Sequence, residues 1–121
     1  MTFKILLTDY EFEHLQYEEE VFQESGLEIE FIKAQCKTEE EVMEQAKEAD
    51  AILNQYAPIS RRVIESLENT KIISRYGVGV NTIDLNAAKE KGITVANVPD
   101  YGMEEVSNHA LALLLSSARK V

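Results

Sequence analysis

A chain of 121 residues makes one domain or part of one, and its 45% apolar fraction is enough for a real core at that length. No run of about 18 apolar residues occurs, which argues against a transmembrane helix, and a net charge of −10 argues against nucleic acid or an anionic membrane as partner, since both select clustered Lys and Arg. The single Cys36 leaves no internal disulfide framework and makes a reducing cytoplasm the expected compartment, with a buried or incidental thiol rather than a nucleophile.

Strands and helices alternate along the chain. Phe3–Thr8 is an apolar run of strand length; Asp9 and a dense acidic stretch follow it with no small-residue cleavage site, which fits a first strand and not a signal peptide. Glu11–Ser25 reads as a helix with Phe12, Leu15 and Phe22 turned inward, stopped by Gly26. Leu27–Ile32 alternates apolar residues with Glu28 and Glu30, the pattern of a half-exposed edge strand. Thr38 and Glu41 form a capping box ahead of Val42, Ala46 and Ala49 at helical spacing. Ala51–Asn54 is a short buried strand, and Ser60 caps a brief helix carrying Val63, Ile64 and Leu67. Ile72–Arg75 is the fourth strand. Asp84 caps the next helix, Gly92 ends it, and Ile93–Val98 is the fifth strand, which Pro99 forbids from extending.

Five βα units in this order predict a parallel α/β sheet with helices on both faces. The edge character of the second strand favours the order 2-1-3-4-5 of flavodoxin-like domains. Fifteen of the 22 acidic residues precede position 51, so the second half is near neutral and is where an anionic ligand meets least repulsion. Glu18–Glu20 and Glu39–Glu41 read as solvated helix faces. His14, beside Glu13 on the acidic helix, is expected to be exposed.

Met103–Val121 departs from the alternation. It reads as one long helix with Val106, Ala110, Leu113, Ser117 and Val121 on one stripe and Leu111, Leu115 and Ala118 on a second. A helix apolar on two sides needs cover on two sides. A five-stranded sheet covers one. Another domain, or a second copy exchanging this helix, is expected to cover the rest.

The strand-to-coil junction at Gly77-Val78-Gly79 bears most on function, because glycine-rich turns of this kind present backbone N–H groups to anions. Three readings stand. Gly77-Val78-Gly79-Val80-Asn81-Thr82 resembles the G-x-G-x-x-G of a dinucleotide site, with Asp100 about twenty residues on, but Thr82 replaces the third glycine and Pro99 constrains Asp100. A small carboxylate needs only the amides of Val78 and Gly79. Alternatively, the glycines serve only the turn.

The run Arg75-Tyr76-Gly77-Val78-Gly79-Val80-Asn81-Thr82-Ile83-Asp84, then Gly92–Pro99, then Glu104–Leu115, resembles the D-isomer-specific 2-hydroxyacid dehydrogenases, the family of phosphoglycerate, glyoxylate/hydroxypyruvate and D-lactate dehydrogenases. The close match covers about the last fifty residues, and the first seventy agree in element order. The resemblance implies a flavodoxin-like substrate-binding domain over 1–102 and an interdomain helix over 103–121 leading to an absent NAD-binding Rossmann domain. It implies that the amides of Val78 and Gly79, beside Gly77, bind the carboxylate of a 2-hydroxy or 2-oxo acid. Tyr101 and the loop Asn54-Gln55-Tyr56-Ala57-Pro58 would face the substrate. Two departures are visible: Asn54 stands near a position where many members carry Arg, which disfavours a second, phosphate-like anionic group, and Asn81-Thr82 stand where Asp-Asn is common.

The family's catalytic Arg, Glu and His, and its true glycine fingerprint, lie beyond these residues. The resemblance therefore implies NAD(H) for the complete enzyme and no cofactor, metal or catalytic residue in this chain, which alone would be inert. His109 is expected to pack in the helix and not to act as acid/base. A homo-oligomer built through the 103–121 helix is expected. Two rivals remain at this stage: a stand-alone flavodoxin-like interaction or regulatory module, and a phosphate- or flavin-binding domain. A phosphorelay receiver is disfavoured, since the third strand ends in Asn54-Gln55 with no acceptor Asp.

Overall fold

A computed structural model describes residues 1–121. In chain order the elements are β1 (Thr2–Leu7), α1 (Gln16–Glu24), β2 (Glu28–Lys33), α2 (Glu39–Ala46), β3 (Ala51–Asn54), α3 (Arg61–Ser66), β4 (Ile72–Arg75), α4 (Leu85–Lys91), β5 (Thr94–Ala96) and α5 (Met103–Arg119). The five strands form one all-parallel sheet in the order β2-β1-β3-β4-β5, as expected.

Local chemistry sets most of the helix ends. Thr38 accepts the amide of Glu41 while the Glu41 carboxylate accepts those of Lys37 and Thr38, a complete capping box. Ser60 caps α3 through Val63 N, and Asp84 caps α4 through Ala87 N. Gly92 closes α4 at φ 75°, a left-handed conformation that costs glycine little.

The core lies between one face of the sheet and α2, α3 and α4. Leu6, Ile52 and Ile73 from the strands meet Val42 and Ala46, Val63 and Ile64, and Ala87 and Ala88 from the three helices. Each fully buried Val, Leu or Ile side chain contributes roughly 1.5–3 kcal/mol relative to exposure. The opposite face is covered less. There α1 rests on β2 through an edge-on contact of Phe22 with Phe31, ring centroids 5.0 Å apart. Between α1 and the ends of β3 and β4 an apolar groove stays open, lined by Tyr17, Val21, Phe22, Leu53 and Val98 among others.

Three expectations change. The first helix begins at Gln16, five residues later than its composition suggests, because tertiary bonds hold the preceding coil: Gln35 Oε1 accepts Tyr10 N, and Gln55 Oε1 accepts Glu11 N. Phe12 is therefore neither helical nor in the core; it is 41% exposed, with its ring 5.0 Å from that of Tyr76. The fifth strand ends at Ala96 and not at Val98. Asn97 and Val98 leave the ladder to bond the glycine loop. Finally, no residue of α5 is buried, so the sheet covers neither stripe, and His109 is exposed with the rest of the helix instead of packed. No helix is long and apolar enough to cross a membrane.

Candidate functional site

β4 delivers the chain into the loop 76–82, and three successive carbonyls of that loop are fixed. Gly77 O accepts Val98 N at 2.9 Å, Val78 O accepts Asn97 Nδ2 at 2.8 Å, and Gly79 O accepts Arg75 Nη1 at 2.9 Å. None of the amides of residues 77–80 donates within the protein. With the carbonyls tied back, four consecutive N–H groups remain free at one bend, and both Val78 and Gly79 are exposed. That is the arrangement an anion requires. Gly77 sits at φ 132° with the Arg75 guanidinium 2.8 Å from where a Cβ would stand, so only glycine fits there.

The geometry does not suit a dinucleotide. The free amides precede α4 by several residues, and a parallel bridge between Ile59 and Ile83 intervenes. The N-terminus of α4 is already capped by the Asp84 carboxylate, which would repel a pyrophosphate. The helix spans seven residues, and Asp100 lies exposed beyond β5.

Behind the loop lies a buried polar knot. Asp9, 8% exposed, accepts Tyr56 N at 2.7 Å, Ala57 N at 3.0 Å and Gln55 N at 3.3 Å, and also the Thr8 hydroxyl at 2.7 Å. Asn54 is fully buried. Its Nδ2 donates to Thr8 Oγ1 and Ala57 O, and its Oδ1 accepts the Thr82 hydroxyl at 2.9 Å. This corrects its expected role: Asn54 does not face a ligand but ties β1, the 55–57 loop and the 80–84 loop together. Both departures from the family pattern, Asn54 and Thr82, thus meet in a single hydrogen bond.

The other expected residues do converge. Gln55, Tyr56, Gly77 and Tyr101 line one cleft together with Phe12, Tyr76 and Val98. Arg75 is the functional residue that the motif alone left without a role. Its Nε donates to Gln55 O at 3.0 Å, its Nη1 holds Gly79 O, and its guanidinium lies 5.9 Å from the centre of the Tyr56 ring. It places a positive charge against the free amides. The sequence signal was its position, two residues before the first glycine. Burial, then a 2.7 Å hydrogen bond to Glu18, pushes the Tyr76 hydroxyl above its ordinary range and keeps it protonated. Burial likewise raises the Cys36 thiol, which argues against a nucleophile. No group of three or more His, Cys, Asp or Glu is arranged to hold a metal ion.

The free amides lie at the carboxyl end of β4, an interior strand of a parallel sheet, which is where open α/β sheets place their ligand sites. Comparison with known proteins gives the family. The profile described as D-isomer specific 2-hydroxyacid dehydrogenase, catalytic domain, matches residues 5–118, and the chain belongs to that family. It is 39% identical over 97 residues to a D-3-phosphoglycerate dehydrogenase of Archaeoglobus fulgidus, covering 80% of this chain and 18% of that protein. It is 40% identical over 82 residues to a hydroxypyruvate reductase of Blautia hydrogenotrophica, covering 68% and 26%. The crystal structure of NAD+-bound 3-phosphoglycerate dehydrogenase from Entamoeba histolytica superposes with a TM-score of 0.76 at 25% identity, covering 96% of this chain and 39% of the other. The chain thus spans well under half the length of each of these relatives.

Asp9 yields a direct test of the polar knot. Asp9→Ala would leave three main-chain donors without their acceptor and should cost about 3 kcal/mol of stability. Urea denaturation followed by circular dichroism measures it, and a loss below about 1 kcal/mol would show the knot to be incidental.

Proposed function

We propose that this chain is the substrate-binding portion of an NAD-dependent D-2-hydroxyacid dehydrogenase, interconverting a 2-hydroxy acid and its 2-oxo acid. The observation that carries the proposal is the set of free amides at 77–80 behind fully engaged carbonyls. The N–H groups of Val78 and Gly79 take the two carboxylate oxygens, and Arg75 adds charge without moving, since two loop carbonyls hold its guanidinium. Gln55, Tyr56 and Tyr101 border the same cleft and face the remainder of the substrate. The names of the dehydrogenase and reductase relatives support this reading.

The chemistry also needs a group to move the hydroxyl proton and a hydride carrier. NAD(H), held by polypeptide outside residues 1–121, supplies the hydride. Neither histidine here serves as acid/base: both are exposed, His14 in the coil before α1 and His109 on α5, and neither lines the cleft. Residues 1–102 form the substrate domain, and α5 starts the passage to the cofactor domain. The setting we assign is the cytoplasm, where a reduced Cys36 is stable.

Binding without turnover is the expected behaviour of this chain. Titration with glyoxylate or another 2-oxo acid should shift the amide resonances of Val78 and Gly79, while NADH absorbance stays constant. Unmoved amides would sink the carboxylate site; NADH oxidation by this chain alone would sink the division of labour.

The bare α5 supports a second expectation. Leu111, Leu113, Leu114 and Leu115 are each more than half exposed, so the chain should self-associate through α5. Light scattering should detect species larger than a monomer, and Leu111→Glu with Leu115→Glu should restore the monomer. A clean monomer of the unsubstituted chain at high concentration would contradict it.

A further inference from the structure

The cleft beside the glycine loop has a volume of about 290 Å³, at the small end of ligand-holding clefts. Its lining is unusual for a family in which several relatives are named for a phosphorylated acid. Phe12, Tyr56, Tyr76, Tyr101 and Val98 supply the walls, Gln55 and the backbone of Gly77 the rest. No charged side chain is among them. The nearby cation, Arg75, does not line the cleft: its guanidinium is bonded to Gln55 O and Gly79 O on the side of the free amides. Gln55 Oε1 accepts Glu11 N and its backbone N–H donates to Asp9, which leaves its side-chain Nε2 as a neutral donor.

Resting on the carboxylate site proposed above, we propose that this cleft receives the side chain of the acid, and that the substrate is a 2-oxo or 2-hydroxy acid with an aromatic side chain. The lining touches Gly77, whose neighbours Val78 and Gly79 carry the free amides, so the anionic head and the substituent share one continuous surface. A neutral aromatic ring gains from such walls by edge and offset contacts and by removal of exposed apolar surface. A phosphate would lose its hydration there and find no cation among the lining side chains. Phe12 determines the specificity: the coil before α1 carries it to Tyr76, where the ring closes one side of the cleft. Tyr76 is held in turn by its hydrogen bond to Glu18, which keeps the hydroxyl engaged away from the ligand.

The test is amide chemical-shift titration of the 121-residue chain with glyoxylate, phenylpyruvate and 3-phosphoglycerate in parallel. Phenylpyruvate should bind roughly tenfold more tightly than glyoxylate, equivalent to about 1.4 kcal/mol, and 3-phosphoglycerate should bind no better than glyoxylate. Phe12→Ala, a substitution at a partly exposed coil position whose folding the same spectra report, should reduce that preference to within about twofold. Equal affinities for the three acids, or tightest binding of 3-phosphoglycerate, would overturn the aromatic assignment while the shifts at Val78 and Gly79 preserve the carboxylate site. Should no acid move those two amides, the carboxylate site fails and this assignment with it. Should phenylpyruvate move only cleft residues, the cleft binds rings independently and the shared surface is refuted.

Discussion

A carboxylate removed from water is costly unless other donors replace its hydration. Asp9 meets that condition through three main-chain N–H groups of the 55–57 loop and the Thr8 hydroxyl. The consequences spread outward. The loop is pinned to the end of β1, Gln55 O is placed to accept Arg75 Nε, and Arg75 reaches Gly79 O. The bend of free amides at 77–80 therefore depends on a residue nearly seventy positions earlier in the chain.

The bend itself works by subtraction. Its carbonyls are occupied by Val98 N, Asn97 Nδ2 and Arg75 Nη1, and what is left over is an array of donors already aimed and already rigid. Preorganised donors cost little to align when an anion arrives. The shortness of β5 is part of the same device.

Sequence patterns revealed the features governed by near neighbours. β3 and β4 have the expected bounds, and the caps at Thr38, Ser60, Asp84 and Gly92 are where residue type placed them. Each depends on contacts within a few residues. The start of α1 was not legible, because Gln35 and Gln55, distant in sequence, hold residues 10 and 11 out of the helix. Asn54 was misread for a related reason: a strand-end position near a loop says nothing about which side of the backbone its side chain takes, and here Thr8 and Thr82 claim it. The cleft residues Gln55, Tyr56, Gly77 and Tyr101 were brought together by family resemblance, whereas Phe12 and Arg75 emerged only once the coil and the guanidinium were placed.

The exposed flank of β2 has a further consequence. Parallel pairing to β1 leaves its other side without a neighbour, and Glu28, Glu30 and Lys33 are all exposed along this strand. Charges so placed discourage a foreign strand from docking there, since stacked copies would bring like charges into register. At the far margin, β5 offers only three residues as a template. Open-ended fibrillar growth along the sheet is thereby discouraged at both borders.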